Sequence, residues 1–299
     1  MRIVVALGGN ALLRRGEPMT AGNQRANVAR AAVALGELAA DGHDLVVTHG
    51  NGPQVGLLAL QAASTPDAPM PLDILDAESA GMIGYVLQQE LANVMKDRLF
   101  ATLLTQVLVK ANDPAFASPT KPIGPVYDES AARRLASARG WSIVRDGNGW
   151  RRAVPSPRPL DILEKEVISF LVERDVVVIC AGGGGIPVVK LPSGSVAGVE
   201  AVVDKDHASS LLARQLEADM LLLLTDVDAV YRGWGTSAAK AISRIRCTEI
   251  SGDEFPTGSM GPKVTAAVEF AATGHPAAIG TLEDALLIVK GRRGTTILP

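Results

Sequence analysis

The sequence predicts an α/β fold in which helices cover both faces of a mostly parallel sheet. Short apolar, β-branched runs recur along the chain without the alternation of a half-exposed strand, and alanine-rich helical stretches lie between them. Hydrophobic residues make up 47% of the chain but aromatic residues only 4%, so the core is built from Ala, Val, Leu and Ile. Strands that are buried on both faces have this composition.

The elements follow one another in the order that this fold requires. Apolar runs predict strands at residues 3–7, 45–48, 101–109, 176–180 and 220–225. Helical spacing of apolar residues predicts helices at residues 23–40 and 79–97. Alternating strands and helices indicate right-handed crossovers, and ligands of such sheets bind beyond the carboxyl ends of the strands.

One segment, residues 112–159, breaks this alternation. It is rich in proline, and the sequence Asp146-Gly147-Asn148-Gly149 at its centre predicts a hairpin turn. A disordered insert is the alternative, but Trp141 and Trp150 offer apolar surface for packing. We therefore expect one domain over residues 1–299, with residues 112–159 as a small protruding subdomain.

Charge and cysteine content restrict the partners and the compartment. The net charge is -3, from 29 basic and 32 acidic residues without a basic block, so neither nucleic acid nor a membrane is an expected partner. Cys180 and Cys247 are too few for a disulfide framework. The first apolar run is shorter than that of a signal peptide. A cytoplasmic protein is expected.

Glycine-rich turns follow three of the predicted strands. Glycine lets the backbone approach a ligand closely, and free backbone N–H groups at such turns bind anions. Three turns at one predicted sheet edge indicate a site for a polyanion. The turns are Gly8-Gly9-Asn10, Gly50-Asn51-Gly52 and Gly182-Gly183-Gly184-Gly185.

The common nucleotide fingerprints do not fit these turns, because neither G-x-x-x-x-G-K-[ST] nor G-x-G-x-x-G matches them. Lysines among Gly, Pro and Ser supply positive charge instead, at positions 121, 205 and 263. We find no zinc-type spacing of His and Cys and no carboxylate cage for a metal. Any Mg²⁺ is therefore expected to arrive on a nucleotide.

Two other residues invite a catalytic interpretation. His49 has the chemistry of a general base, but its flanking glycines favour a positional role. Cys180 has the chemistry of a nucleophile, but it ends an apolar strand without an evident histidine partner, which favours a place in the core.

Eight motifs give the chain a family resemblance. In order, they are VALGGNAL, THGNGPQVG, PTKPIGP, VPSP, CAGGGGIPVV, GVEAVVDKD, LLTDVDAVY and GSMGPK. The chain resembles the carbamate kinases of the amino acid kinase superfamily. This resemblance implies a three-layer α/β/α sandwich, a homodimer, and reversible phosphoryl transfer between ATP and carbamate with Mg²⁺ on the nucleotide. It also implies a role in arginine metabolism that runs toward ATP synthesis.

The resemblance also implies a role for each matching residue. Asp206 would hold the phosphate-binding lysines in place, and Asp226 and Asp228 are either nucleotide ligands or turn residues. The implied catalytic residues are Lys121, Lys205, Asp206 and Lys263. The implied substrate-binding residues are Gly8, Gly9, Asn10, Gly50, Asn51, Gly182, Gly183 and Gly184. The implied nucleotide-binding residues are Thr225, Asp226, Val227, Asp228, Tyr231 and Met260.

One departure from the family pattern leaves the substrate open. Some members have Thr-Gln-Gly where this chain has Glu78-Ser79-Ala80-Gly81. One alternative keeps the fold but changes the acceptor to an amino-acid carboxylate or a phosphate. THGNGPQVG lacks the Arg or acidic residue that would grip an amino acid, which favours a small acceptor. The other alternative is a non-catalytic nucleotide sensor, against which the retained lysines argue.

Overall fold

The structure is a computed structural model that describes residues 1–14, 16–62 and 70–299, apart from the side chain of Asn10. The strands are β1 (Arg2–Leu7), β2 (Asp44–His49), β3 (Leu99–Thr102), β4 (Gln106–Val109), β5 (Lys121–Tyr127), β6 (Ser142–Asp146), β7 (Gly149–Val154), β8 (Pro159–Ile162), β9 (Val176–Ile179), β10 (Ile186–Lys190), β11 (Val196–Gly198), β12 (Met220–Thr225), β13 (Val230–Arg232), β14 (Lys240–Ile242), β15 (Arg244–Arg246), β16 (Ala277–Thr281) and β17 (Thr295–Leu298). The α-helices are α1 (Ala21–Ala40), α2 (Gly52–Ala62), α3 (Leu72–Val94), α4 (Glu129–Arg139), α5 (Lys165–Val172), α6 (Lys205–Gln215), α7 (Met260–Ala271) and α8 (Ala285–Val289).

The central sheet confirms the predicted parallel architecture. Its strand order is β15-β17-β16-β12-β1-β2-β9-β3. From β16 to β3 all neighbouring strands are parallel, and only β17 and its neighbour β15 run the other way. β1 lies in the middle, with Ile3 opposite Met220 of β12 and Leu45 of β2.

Both faces of this sheet are covered, which explains why the strand sequences do not alternate. Val4 and Ala6 of β1 lie in a core shared with α5, α6 and α7. Ile3 and Val5 lie in a second core shared with α1, α3 and α8. All four side chains are fully buried. The chain is therefore a three-layer α/β/α sandwich, as predicted.

The predicted strands at residues 3–7, 45–48, 176–180 and 220–225 correspond to β1, β2, β9 and β12. The single strand predicted over residues 101–109 is wrong. That run forms β3 in the central sheet and β4 in a second sheet, of order β11-β10-β4-β8. Between them, Thr105 Oγ1 donates to the backbone oxygen of Leu103 and accepts from the backbone N–H of Ala181, at 3.1 and 2.9 Å. These bonds stabilise the turn away from the central sheet.

The two predicted helices are present with different bounds. α1 begins at Ala21 and ends at Ala40, close to the prediction. α3 spans Leu72–Val94, so it begins seven residues before the predicted start at residue 79. Pro71 precedes it. Proline is compatible with a helix start, but it has no side chain that could cap the helix by a hydrogen bond, so the sequence shows no N-cap signal there. Each helix in the described part of the chain is too short or too polar to span a lipid bilayer.

The proline-rich segment contains a three-stranded antiparallel sheet of order β5-β7-β6 together with α4. Asp146 pairs with Gly149 across a two-residue turn, which confirms the predicted hairpin. Trp141 contacts the guanidinium groups of Arg139 and Arg152, whose central carbons lie 4.9 and 5.0 Å from the ring centroid. The segment is therefore folded, and its status as a subdomain with bounds 112–159 stays a prediction.

Candidate active site

The three glycine-rich turns lie together at one edge of the central sheet. They follow β1, β2 and β9, which are adjacent parallel strands, so the predicted clustering is confirmed. The backbone N–H of Gly50 donates to the oxygen of Leu7 at 3.2 Å. A Cβ atom added to Gly50 would lie 3.7 Å from the nitrogen of Gly9 and 3.5 Å from Cδ of Lys205. The first two turns and Lys205 thus enclose a common space.

The third turn packs against the second one and requires glycine. Gly183 has φ +72°, and a Cβ atom there would lie 2.3 Å from Nδ2 of Asn51. A Cβ atom on Gly184 would lie 2.3 Å from the backbone oxygen of Val203, just before α6. A larger residue at either position would separate the turn from Asn51 or from α6.

Two of the predicted lysines share one carboxylate. Lys205 is the first residue of α6, and Lys263 lies in the first turn of α7. Nζ of Lys205 donates to Oδ1 of Asp206, and Nζ of Lys263 donates to Oδ2 at 3.1 Å. The structure therefore places Lys205, Asp206 and Lys263 in one cluster beside the glycine turns.

Lys121 is held differently from the expectation. Its Nζ donates to Oδ2 of Asp204, not to Asp206, so the expectation that Asp206 holds all three lysines is wrong. Asp204 is also the N-cap of α6, because its Oδ1 accepts from the backbone N–H of Asp206 at 2.9 Å. A carboxylate has enough lone pairs for both tasks.

The charges of this cluster, taken together with those of Lys121 and Asp204, favour the binding of an anion. Burial alone would raise the pKa of Asp206, but Lys205 and Lys263 outweigh it and lower that pKa. Burial acts on Asp204 in the same way, yet Lys121 brings its pKa well below the usual range. Both carboxyl groups are therefore ionised at neutral pH. Three lysines facing two aspartates leave one positive charge, in addition to the N–H groups of the turns.

His49 and Cys180 are not placed for acid–base or nucleophilic work. Burial lowers the pKa of His49 to about 4, although a contact of 3.1 Å between Nδ1 and the backbone oxygen of Gly50 opposes the shift. The ring therefore stays neutral at pH 7. Burial raises the pKa of the Cys180 thiol, and its side chain lies in the core between the sheet and α6. Both positions agree with the non-catalytic alternatives.

The predicted nucleotide-side residues lie at and beyond the end of β12. The Tyr231 hydroxyl donates to the Asp228 carboxylate at 3.0 Å, and its ring meets Trp234 edge-on with centroids 5.1 Å apart. Asp226 is exposed and acts on the pKa of Lys263, which connects this stretch to the lysine cluster. Thr225 and Val227 are half-buried beside it.

Two further features adjoin this stretch. Met260 is the first residue of α7 and packs partly buried against the core, three residues before Lys263. A cavity of about 290 Å³ lies on the α1 side of the β12 turn. Arg14, Arg30 and Thr225 are among its lining residues, whereas Lys121, Lys205 and Lys263 are not.

Sequence reasoning missed several residues that support the site. Asp204 had a detectable signal, because an aspartate directly before a helix is a typical N-cap. Trp234 had a weaker signal, as an aromatic residue near Tyr231. Asp76 had none, because it contacts Asn51 from a distant part of the chain, whereas Ser79 lies in the segment at residues 78–81 that departs from the family pattern. The Asn10 side chain lies outside the described residues, and only its backbone, in a short helical turn with Gly9 and Ala11, is placed.

Among the residues that the structure describes, no three His, Cys, Asp or Glu side chains lie close enough together to hold a metal ion. The acidic groups nearest the lysine cluster, Asp204 and Asp206, are already engaged by lysines.

Comparisons with known proteins agree with this geometry. The model of the amino acid kinase family matches residues 1–281. A carbamate kinase of Haemophilus influenzae is 55% identical over 99% of this chain and 96% of its own length. A carbamate kinase of Rhizobium meliloti is also 55% identical, over 99% of this chain and 93% of its own.

A solved carbamate kinase of Giardia lamblia, bound to AMP-PNP, is 41% identical and superposes with a TM-score of 0.90 over 99% of this chain and 98% of its own. Its likeness covers the central sheet, the helices and the proline-rich segment together, since almost the whole of both chains is included. The chain therefore belongs to the amino acid kinase family, in the group that these carbamate kinases represent.

Proposed function

We propose that the protein catalyses reversible phosphoryl transfer between ATP and carbamate, forming ADP and carbamoyl phosphate. The observation that carries this proposal is the set of three lysines, anchored by Asp204 and Asp206, beside three glycine turns. The 55% sequence identity to proteins named carbamate kinase supports carbamate as the acceptor. We also propose that the reaction runs toward ATP synthesis, in arginine breakdown in the cytoplasm.

The charges of the site suit this reaction. ATP and carbamate are both anions, so their approach is repulsive unless positive groups offset it. Lys205 and Lys263 would stabilise the charge on the transferred phosphoryl group. Lys121 would approach the same phosphoryl group from β5 of the three-stranded sheet. The N–H group of Gly9 would position the acceptor, whereas that of Gly50 holds the second turn against Leu7. Such alignment and charge stabilisation account for most of the catalysis of phosphoryl transfer.

The bond changes need no general base. A carboxylate oxygen of carbamate attacks the γ-phosphorus, the bond from that phosphorus to the bridging oxygen breaks, and ADP leaves with the electron pair. The acceptor is already deprotonated, so no side chain has to remove a proton. The neutral, buried ring of His49 is compatible with such a mechanism.

The nucleotide and its metal are assigned to the β12 side. Thr225, Asp226, Val227 and Asp228 would contact the nucleotide, and Tyr231 and Met260 would border its adenine. The AMP-PNP complex of the Giardia relative supports an ATP site in this fold. Mg²⁺ on the nucleotide would neutralise phosphate charge, and the exposed carboxylate of Asp226 fits a contact to it through water.

We further propose a homodimer in which α3 and the edge strand β3 form the interface. Ile74, Met82 and Tyr85 on α3 are 43%, 41% and 56% exposed, and Leu99 on β3 is 69% exposed. An exposed apolar face next to an unpaired strand edge favours association with another chain. Sedimentation analysis of the wild type and of Tyr85→Glu would test this, with a monomeric wild type overturning it.

The activity is tested by ATP formation from ADP, Mg²⁺ and carbamoyl phosphate, with acetyl phosphate as the control donor. Fast ATP formation that prefers carbamoyl phosphate is expected. If nucleotide binds but neither donor yields ATP, the carbamate assignment fails. Turnover with an amino acid or a phosphate as acceptor would then support the alternative acceptors, and its absence would support a nucleotide sensor.

A further inference from the structure

The amide of Asn51 is held by two side chains of α3 that take no part in the proposed chemistry. Nδ2 of Asn51 donates to Oδ1 of Asp76 and, at 2.8 Å, to Oγ of Ser79. Ser79 donates its own hydroxyl hydrogen to the backbone oxygen of Asp76 at 2.9 Å, so its oxygen is left to accept from Asn51. All three side chains are buried.

These bonds determine which way the amide faces. An amide NH₂ group has two hydrogens, and here each one meets an acceptor on α3. In the flipped orientation the amide oxygen would face a Ser79 oxygen whose hydrogen is already engaged and, when Asp76 is ionised, a carboxylate that has no hydrogen to donate. Oδ1 of Asn51 is therefore turned away from α3, and among the described side chains, which do not include that of Asn10, none donates a hydrogen bond to it.

The amide also lies at the acceptor end of the site. A Cβ atom on Gly183 would come within 2.3 to 2.7 Å of its nitrogen, carbon and oxygen, so the third turn packs directly against it. On the other side, Asn51 follows Gly50, which contacts the first turn and Lys205. The amide oxygen is thus presented between the glycine turns.

We propose that Asp76 and Ser79 are positioning residues that orient Oδ1 of Asn51 toward the acceptor, where it accepts an N–H bond and selects carbamate over plain carboxylates. This inference rests on the proposed function. Carbamate and acetate carry the same carboxylate, but only carbamate has an amino group that donates to this oxygen. A methyl group in its place leaves the buried amide oxygen unpaired, which costs binding energy.

The test is the ratio of kcat/KM for carbamoyl phosphate to that for acetyl phosphate in ATP formation. Asp76→Ala frees the amide to flip, so the ratio should fall about fivefold to tenfold, the value of one hydrogen bond. Asp76→Asn keeps an oxygen that accepts from Nδ2 of Asn51 and should preserve the ratio. Glu78→Ala removes an exposed carboxylate from the same helix and is the matched control.

The ratio separates positioning from a structural role. A purely structural defect lowers the turnover of both donors equally, and that result in Asp76→Ala would overturn the inference. If Asp76→Ala does not fold, as judged by thermal melting, Ser79→Ala carries the test with the same readout: a lower ratio supports the inference and an unchanged ratio overturns it.

The failure of this inference differs from the failure of the proposed function. A wild type that makes ATP from neither donor defeats the carbamate assignment, and the inference with it. A wild type that prefers carbamoyl phosphate, with unchanged ratios in Asp76→Ala and Ser79→Ala, defeats only the role of these two residues.

Discussion

The backbones of Gly56 in α2 and Gly124 in β5 are in direct contact: a Cβ atom on Gly56 would lie 1.9 Å from Cα of Gly124. Gly56 lies five residues after Asn51, and Gly124 lies three residues after Lys121. This contact therefore fixes the three-stranded sheet β5-β7-β6, and with it Lys121, against α2, the helix that follows the turn at Gly50 and Asn51.

Gly56→Ala should separate these two elements. The backbone of Gly124 cannot move aside as a flexible side chain would, so we expect a destabilisation of about 2 kcal/mol or more, together with lower turnover as Lys121 shifts. Urea unfolding and ATP formation measure the two effects. Gly52→Ala, on the same helix but with open space around the added methyl group, is the control for stability. Equal stabilities of the two variants would contradict the close contact.

Lys205→Ala should lower turnover by roughly two to four orders of magnitude, as expected when a preorganised charge that stabilises the transition state is removed. The fold should persist, because Asp206 keeps Lys263 as a partner. The comparison is Lys290→Ala, which removes a surface lysine paired with Asp41. A near-native rate in Lys205→Ala, with native circular dichroism, would refute the assignment.

The two tasks of Asp204 can be separated by substitution. Serine is a good N-cap, so Asp204→Ser should keep α6 stable but lose the ion pair with Lys121 and lower turnover. Asp204→Ala should lose both, with a further stability loss of about 1 kcal/mol. Thermal melting and ATP formation, measured on both variants, test this. Full activity in Asp204→Ser would show that the ion pair is dispensable.

Asp76 makes the stability of the protein depend on pH. Burial raises its pKa to about 7, against the effect of the Asn51 hydrogen bond. In the unfolded chain this carboxyl ionises near 3.8, so between pH 4 and 7 the folded state binds more protons. The contribution of Asp76 to stability is therefore lost progressively as the pH rises from about 4 to 7, and is constant above 7.

Asp76→Asn removes this ionisation. Its stability relative to the wild type should increase from pH 4 to pH 7, by up to about 4 kcal/mol. Chemical denaturation of both proteins at pH 4.5, 6 and 8 measures the change. Glu78→Gln, on the exposed side of the same helix, should show no such trend. A difference between Asp76→Asn and the wild type that is independent of pH would exclude the raised pKa.

The sequence was informative where local composition determines structure. Residues 3–7 are all apolar, and in residues 220–225 only the last one, Thr225, is polar. This is the composition of strands buried on both faces. The run at residues 101–109 failed because the break at Leu103–Leu104–Thr105 contains neither Gly nor Pro. It is made by Thr105 bonding to Ala181, a contact that only the folded chain brings together.

The site divides in the same way. Glycines and lysines could be predicted because their residue types and loop positions carry the signal. The pairing of Lys121 with Asp204 spans 83 residues, and that of Asn51 with Asp76 depends on how α3 packs against the acceptor turn. No local pattern encodes either pairing.

The ion pair between Lys121 and Asp204 has a consequence for sequence divergence. Lys205, Lys263 and Asp206 together carry one net positive charge. The charge of Lys121 only balances that of Asp204. A chain that lost Lys121 alone would expose an uncompensated carboxylate to the phosphates. Natural substitutions at positions 121 and 204 are therefore expected to co-vary: a relative with a neutral residue at the first position should have a neutral cap at the second.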